Sequence, residues 1–138
     1  MSNQVVLCTG YGQDGSSPDI LKYHKEQTVV FLMAVGRLQG LMDKLQTVGG
    51  YPPQLPVAIV ERAGCADQQR TIVGTVSTIA HLAEKHHIQA PSTIIVGSVV
   101  RVLLANDVND SSSECHDQEV RRGVAFHELL LPTLQIPR

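Results

Sequence analysis

The sequence predicts an α/β fold, a single domain with a mixed sheet of about five strands and helices packed against it. Three observations carry this expectation. Short β-branched apolar runs recur up to about residue 104, two segments between them switch to a helical period, and the length of 138 residues suits one compact domain. A chain of this size hides roughly two thirds of its unfolded surface, so folding needs neither a metal nor a disulfide.

The run VVLC at 5–8 breaks into TGYGQDGSSP at 9–18, where glycines and a proline punctuate a first strand followed by a surface loop. TVVFLM at 28–33 is β-branched and unalternating, the pattern of a strand buried on both faces. From Arg37 the period changes. Leu38, Leu41, Met42, Leu45 and Val48 line one face of a helix that Gly49-Gly50 terminates through a left-handed cap. After the proline-rich connection at 52–56, VAIV at 57–60 is a third strand, and the unit reads as βαβ with a right-handed crossover.

TIVGTV at 71–76 is a fourth, weaker strand, and 78–87 is a second helix with Ile79, Leu82, Ala83 and His86 on one side. Pro91 opens the last strand, within IIVGSVV at 94–100, where Gly97 marks an end and a turn toward a ligand. Residues 106–118 are polar and serine-rich and read as a mobile linker, the first place a protease should cut. Residues 119–131 carry the pattern of a final helix, with Val120, Val124 and His127 on one stripe. The domain organisation is therefore an α/β domain over 3–105 and a linker with a helix over 106–138.

The charge balance of 11 Lys plus Arg against 13 Asp plus Glu, a formal net charge of −2, argues against a nucleic-acid partner. Cys8, Cys65 and Cys115 form an odd, widely spaced set without CxxC, which argues against a disulfide framework and a zinc cage and fits a reducing compartment. No stretch approaches the roughly 18 uninterrupted apolar residues of a membrane helix. A cytoplasmic protein with no membrane partner is the expectation.

GYGQDG at 10–15 satisfies GxGxxG after a strand, the first half of a dinucleotide fingerprint. The second half is missing. Ser16-Ser17-Pro18 and the charged run at 22–26 lack the apolar stripe of the required helix, and the next strand ends without a carboxylate for a ribose. As a phosphate loop the segment fails too, because Ser16 stands where a lysine is needed. A turn-forming role is expected for these glycines.

No metal site is expected: His86 and His87 point to different faces of a helix, His81 is five residues from His86 rather than four, and Cys115-His116 lacks a second pair. Cys8 reads as a small buried hydrophobe, and Cys65 as a reactive thiol only if a base lies beside it. No nucleophile, triad or carboxylate pair stands out, so no catalytic residue is assigned.

The segments LCTGYG, TVVFLMA, PVAIVERA, QQRTIVGTV and PSTIIVGSVV, in this order over about residues 3–104, resemble the C-terminal domain of the S-adenosylmethionine-dependent tetrapyrrole methyltransferases. The likeness is greatest to the uroporphyrinogen-III C-methyltransferases. The resemblance implies the second domain of the tetrapyrrole methylase fold, with S-adenosyl-L-methionine in a cleft between two α/β domains. It implies that Met33, at the end of the F-x-M strand, and Ala63, the small residue after V-E-R, line the adenosine pocket. It also implies a tetrapyrrole substrate, an N-terminal methylase domain carrying the glycine-rich loop and active-site acid, and a homodimer.

Two methyl transfers to pyrrole-ring carbons, giving precorrin-2, are the implied reaction. This chain alone is expected to be inactive, binding the cofactor only with the N-terminal domain present. The residues by themselves leave Met33 readable as a core methionine and Ala63 as a turn alanine, and GCADQQ before Arg70 is one residue longer than the family spacing. Other readings are half of another precorrin or diphthine-synthase-like methyltransferase, a non-catalytic dimerisation or partner-binding module, and an unrelated domain binding a nucleotide at 10–15.

Overall fold

The computed structural model describes residues 2–11, 14–16 and 19–102, together with the backbone of 118–122. Strands β1 (Gln4–Thr9) and β2 (Gln27–Leu32) are followed by a 3-10 turn at Val35–Arg37 and helix α1 (Leu38–Thr47). Then come β3 (Pro56–Glu61), β4 (Arg70–Thr75), α2 (Ile79–Lys85), β5 (Ser92–Val96), a 3-10 turn at Ser98–Val100 and β6 (Gln118–Arg122). Among the described residues the sheet has six strands, in the order β1-β2-β5-β3-β4-β6. Only β1 and β2 pair in parallel; every other neighbouring pair is antiparallel.

The expected α/β domain with a mixed sheet is therefore observed, with two departures. β2 and β3 do run the same way across α1, as a βαβ unit requires, but β5 lies between them and pairs antiparallel with both. The expected helix at 119–131 does not start as one, because 118–122 is a strand in register with β4, Arg122 opposite Arg70. β-branched Val120 among long polar side chains suits an edge strand as well as a helix. The remainder of that helix and the expected linker at 106–117 lie outside the described residues.

Phe31, Ile94, Ile59 and Ile72 are directly opposite one another across four strands and form the floor of the core. Onto it α1 lays Leu38, Leu41, Met42 and Leu45, and α2 lays Ile79, Ala80, Leu82 and Ala83. Burying a Leu, Ile or Met completely is worth roughly 1.5–3 kcal/mol, so this seam fixes the helices on one face. Val48, the last member of the α1 stripe, lies past the helix and is exposed; Gly50 takes φ 72 and the Tyr51 N–H donates back to the Leu45 carbonyl. Gly74 has no side chain where Leu82 and Thr78 of the α2 segment come down on β4.

The other face is thinly covered. Val30 and Ile95 are half-buried, and Val5 and Leu7 on edge strand β1 are exposed, so β2 is not buried on both sides as its unalternating run predicts. Gly97 follows the end of β5, as expected, and what it packs against is backbone: a Cβ there would meet the Gln27 carbonyl at 3.1 Å and Thr28 Cα at 3.3 Å. Its φ of 147 lets β5 pass close to the start of β2.

Candidate functional site

β1, β2 and β3 all point the same way, so their carboxyl ends gather at one edge of the sheet, with the amino end of β5 set between β2 and β3. In open α/β sheets, ligands lie outside the carboxyl ends of strands where neighbouring connections diverge. A cavity of about 940 Å³ occupies this position. Tyr11 lines it after β1, Leu32 and Met33 at the end of β2, Arg62, Ala63 and Cys65 after β3, and residues 89–93 on the way into β5. A second cavity of about 770 Å³ lies on the helix side between 34–41 and α2, sharing Val35, Gly36, Ile88 and Gln89 with the first.

Met33 and Ala63 thus meet in one cleft. Met33 is the first residue beyond β2 and Arg62 the first beyond β3, and both are left-handed, with φ of 54 and 50. Non-glycine residues pay roughly 1–2 kcal/mol for this backbone, which persists only where the surroundings impose it. At β2 the reversal throws the Met33 side chain outward, 60% exposed, and buries Ala34 behind it. Gly10 makes the corner possible: its N–H donates to the Leu32 carbonyl at 2.7 Å, and a Cβ on it would stand 2.5 Å from both Ala34 Cα and the Met33 carbonyl. The first glycine of GxGxxG therefore packs against backbone.

Gly15 takes φ 70 with open space around it, and no helix follows among residues 19–26; Gly12 lies outside the described residues. The Tyr11 ring is held under the Arg37 guanidinium, 4.2 Å from its centroid, while Arg37 Nη1 donates to the Gly15 carbonyl at 2.9 Å.

The long loop after β3 is braced from within. The Arg62 N–H donates to the Pro91 carbonyl at 2.9 Å and the Cys65 N–H to the Arg62 carbonyl at 3.0 Å. Arg62 Nη1 donates to Gln68 Oε1 at 2.7 Å, and the Gly64 N–H to Gln69 Oε1 at 2.8 Å. These bonds close the turn at the cleft mouth, with Ala63 on the lining.

Behind this turn Glu61 is buried, 4% exposed. Its carboxylate accepts a bond from Arg70 Nε at 2.5 Å and one from the Gln89 N–H at 2.7 Å. The Arg70 bond holds the Glu61 carboxyl below the usual carboxylate range, and the same bond raises Arg70. Sequence reasoning missed this pair, and also missed Tyr11, Arg62 and Gln89 as lining residues. The V-E-R and Q-Q-R triplets were a usable signal for Glu61 and Arg70, since opposite charges at adjoining strand ends pair across a hairpin.

Burial pushes the Cys8 thiol up, which keeps it protonated, while Cys65 is exposed on the cleft rim. Among the described residues there is no group of three or more His, Cys, Asp or Glu side chains that could hold a metal ion. No described helix is long and apolar enough to cross a membrane.

A mixed α/β sheet with a left-handed corner at each of two strand ends thus borders a cleft of about 940 Å³. The comparisons give the family. The sequence pattern described as Tetrapyrrole (Corrin/Porphyrin) Methylases matches residues 2–80, more than half of the chain, and the chain belongs to this family. It is 40% identical over 97 residues to a probable uroporphyrinogen-III C-methyltransferase of Schizosaccharomyces pombe, covering 70% of this chain and 19% of that protein. It is 43% identical over 75 residues to an S-adenosyl-L-methionine-dependent uroporphyrinogen III methyltransferase of Methanosarcina barkeri, covering 54% of this chain and 29% of that one.

Among solved structures, the uroporphyrin-III C-methyl transferase of Thermus thermophilus complexed with S-adenyl homocysteine superimposes with a TM-score of 0.63 at 29% identity, over 73% of this chain and 44% of that one. The chain thus spans about a fifth of the length of its fungal relative and less than half of the solved enzyme.

Proposed function

We propose that this chain forms one wall of the S-adenosylmethionine cleft of a uroporphyrinogen-III C-methyltransferase, with Met33 and Ala63 against the adenosine. The observation that carries the reading is that these two residues, remote in sequence, line one cleft at the carboxyl ends of co-directional strands. Its lining suits a flat, uncharged ring. The outward thioether of Met33 offers a polarisable surface, the single methyl of Ala63 lets a ring approach the backbone, and Leu32, Val60 and Pro91 supply apolar contact.

The lining does not suit the sulfonium end equally well. Among the described residues on it there is no Asp or Glu, whereas Arg62 is present. A companion N-terminal methylase domain therefore supplies the remaining contacts and the acid, over residues that in this chain belong to one domain at 3–105. When bound, the cofactor provides a methyl group on a good leaving group, and the carbon nucleophile belongs to the tetrapyrrole. What this chain contributes is approach geometry: a rigid corner at Met33, a braced turn at Ala63 and exclusion of water by the apolar wall. The relatives named above support uroporphyrinogen III as acceptor; two methylations to precorrin-2, a reducing cytoplasm and a homodimer belong to the same proposal.

The test is methyl transfer from S-adenosylmethionine to uroporphyrinogen III. The 138-residue chain alone is expected to show none, and the same chain joined to an upstream methylase domain is expected to recover it. Full activity of the chain alone would refute the shared cleft.

A further inference from the structure

We propose that the Glu61–Arg70 pair is a positioning device for the cleft, fixing the 62–65 turn against the 89–93 segment that lies beside it on the lining. The inference rests on the cofactor reading above for its functional meaning, but its geometry stands independently.

Glu61 is the one charged side chain buried among the described residues, and its two oxygens serve different segments. Oε2 takes Arg70 Nε at the start of β4, and Oε1 takes the Gln89 N–H on the approach to β5. The rest of the Arg70 fork donates to the carbonyls of His86 and His87 at 3.0 and 3.1 Å, where α2 ends and His87 turns left-handed at φ 51. One carboxylate and one guanidinium therefore join the end of β3, the start of β4, the end of α2 and the entry to β5.

A second tie repeats the link one step closer to the ligand, where the Arg62 N–H meets the Pro91 carbonyl. The Gln89 peptide is held from both sides, since Ser92 Oγ donates to its carbonyl. Stability alone is a weak reason for such an arrangement. An apolar pair of equal volume often serves a core as well as a buried ion pair or better, whereas the planar Arg fork and the carboxylate fix direction. The direction fixed here is that of Gln89, which borders both cavities described above.

The experiment uses the full chain carrying Glu61→Gln and, separately, Arg70→Lys, which keeps the charge and loses the fork. Backbone amide exchange is read by NMR. The expected result is at least about tenfold faster exchange at Arg62 and Gln89 with Ile59, Ile94 and Leu45 unchanged, the signature of local opening. Equal acceleration at all five would make the pair a general stabiliser and overturn the proposal, as would no acceleration.

The same substitutions, placed in the chain joined to an upstream methylase domain, are then titrated with S-adenosylhomocysteine. Shifts at Met33 and Ala63 in the unaltered joined protein that weaken in both variants support positioning, and equal shifts in all three overturn it. If the unaltered joined protein shows no shift at those residues, it is the cofactor reading that fails, and the exchange data still decide whether the pair holds the 62–65 turn against the 89–93 segment.

Discussion

At Met33 the chain accepts an unfavourable backbone, φ 54, to present a thioether to the cleft. Met33→Gly removes that cost and the side chain together. The thermal midpoint should therefore stay within about 4 °C, a change of roughly 1 kcal/mol in stability. Cofactor affinity in the two-domain protein should nonetheless drop. A large loss of stability would mean that Met33 serves the core. Gly10→Ala is the converse case. Its Cβ meets backbone atoms of Met33 and Ala34, which cannot swing away, so we expect a loss of about 1–3 kcal/mol by urea denaturation. Sequence reasoning expected a turn-forming role for the glycines at 10–15, because the helix and carboxylate of a dinucleotide loop are missing from the sequence. It did not see what Gly10 packs against, since Leu32–Ala34 is remote in sequence and no local pattern records the contact.

Among the elements, α1 was the most legible, because a stripe of Leu38, Leu41, Met42 and Leu45 under a double glycine has no other stable use. Leu45 is fully buried, and Leu45→Ala should cost about 2–5 kcal/mol in the same denaturation assay. The insertion of β5 between β2 and β3 was not legible, since strand order depends on which edges meet after collapse. Short β6 was lost because a valine among charged residues satisfies either period. The tie between β3, β4 and α2 through Glu61 has a pH signature. Its folded pKa lies below the unfolded value, so its stabilisation is complete above the ordinary carboxylate range and fades as pH falls through the depressed folded value. Glu61→Gln should therefore be less stable than the natural chain near pH 7, with the difference shrinking as pH falls below the ordinary carboxylate range, as followed by urea midpoints. A difference independent of pH would show that the charge at Glu61 does no work.

On the scale of the whole molecule, and among the described residues, helices cover one face of the sheet, while Val5 and Leu7 on the other are exposed beside a β1 edge with no strand partner. Such a surface favours association, and sedimentation of the chain should show self-association rising with concentration. The family was readable from the order of five segments, while the meeting of Met33 and Ala63 on one cleft needed the strand directions. Calorimetric titration of S-adenosylhomocysteine, first into the 138-residue chain and then into the chain joined to an upstream methylase domain, tests this placement most directly. We expect little heat from the chain alone, clear binding by the joined protein, and at least about tenfold weaker binding when the latter carries Met33→Asp, equivalent to 1.4 kcal/mol. Tight binding by the chain alone, or binding by the joined protein that ignores Met33→Asp, would contradict a cofactor cleft built on this wall.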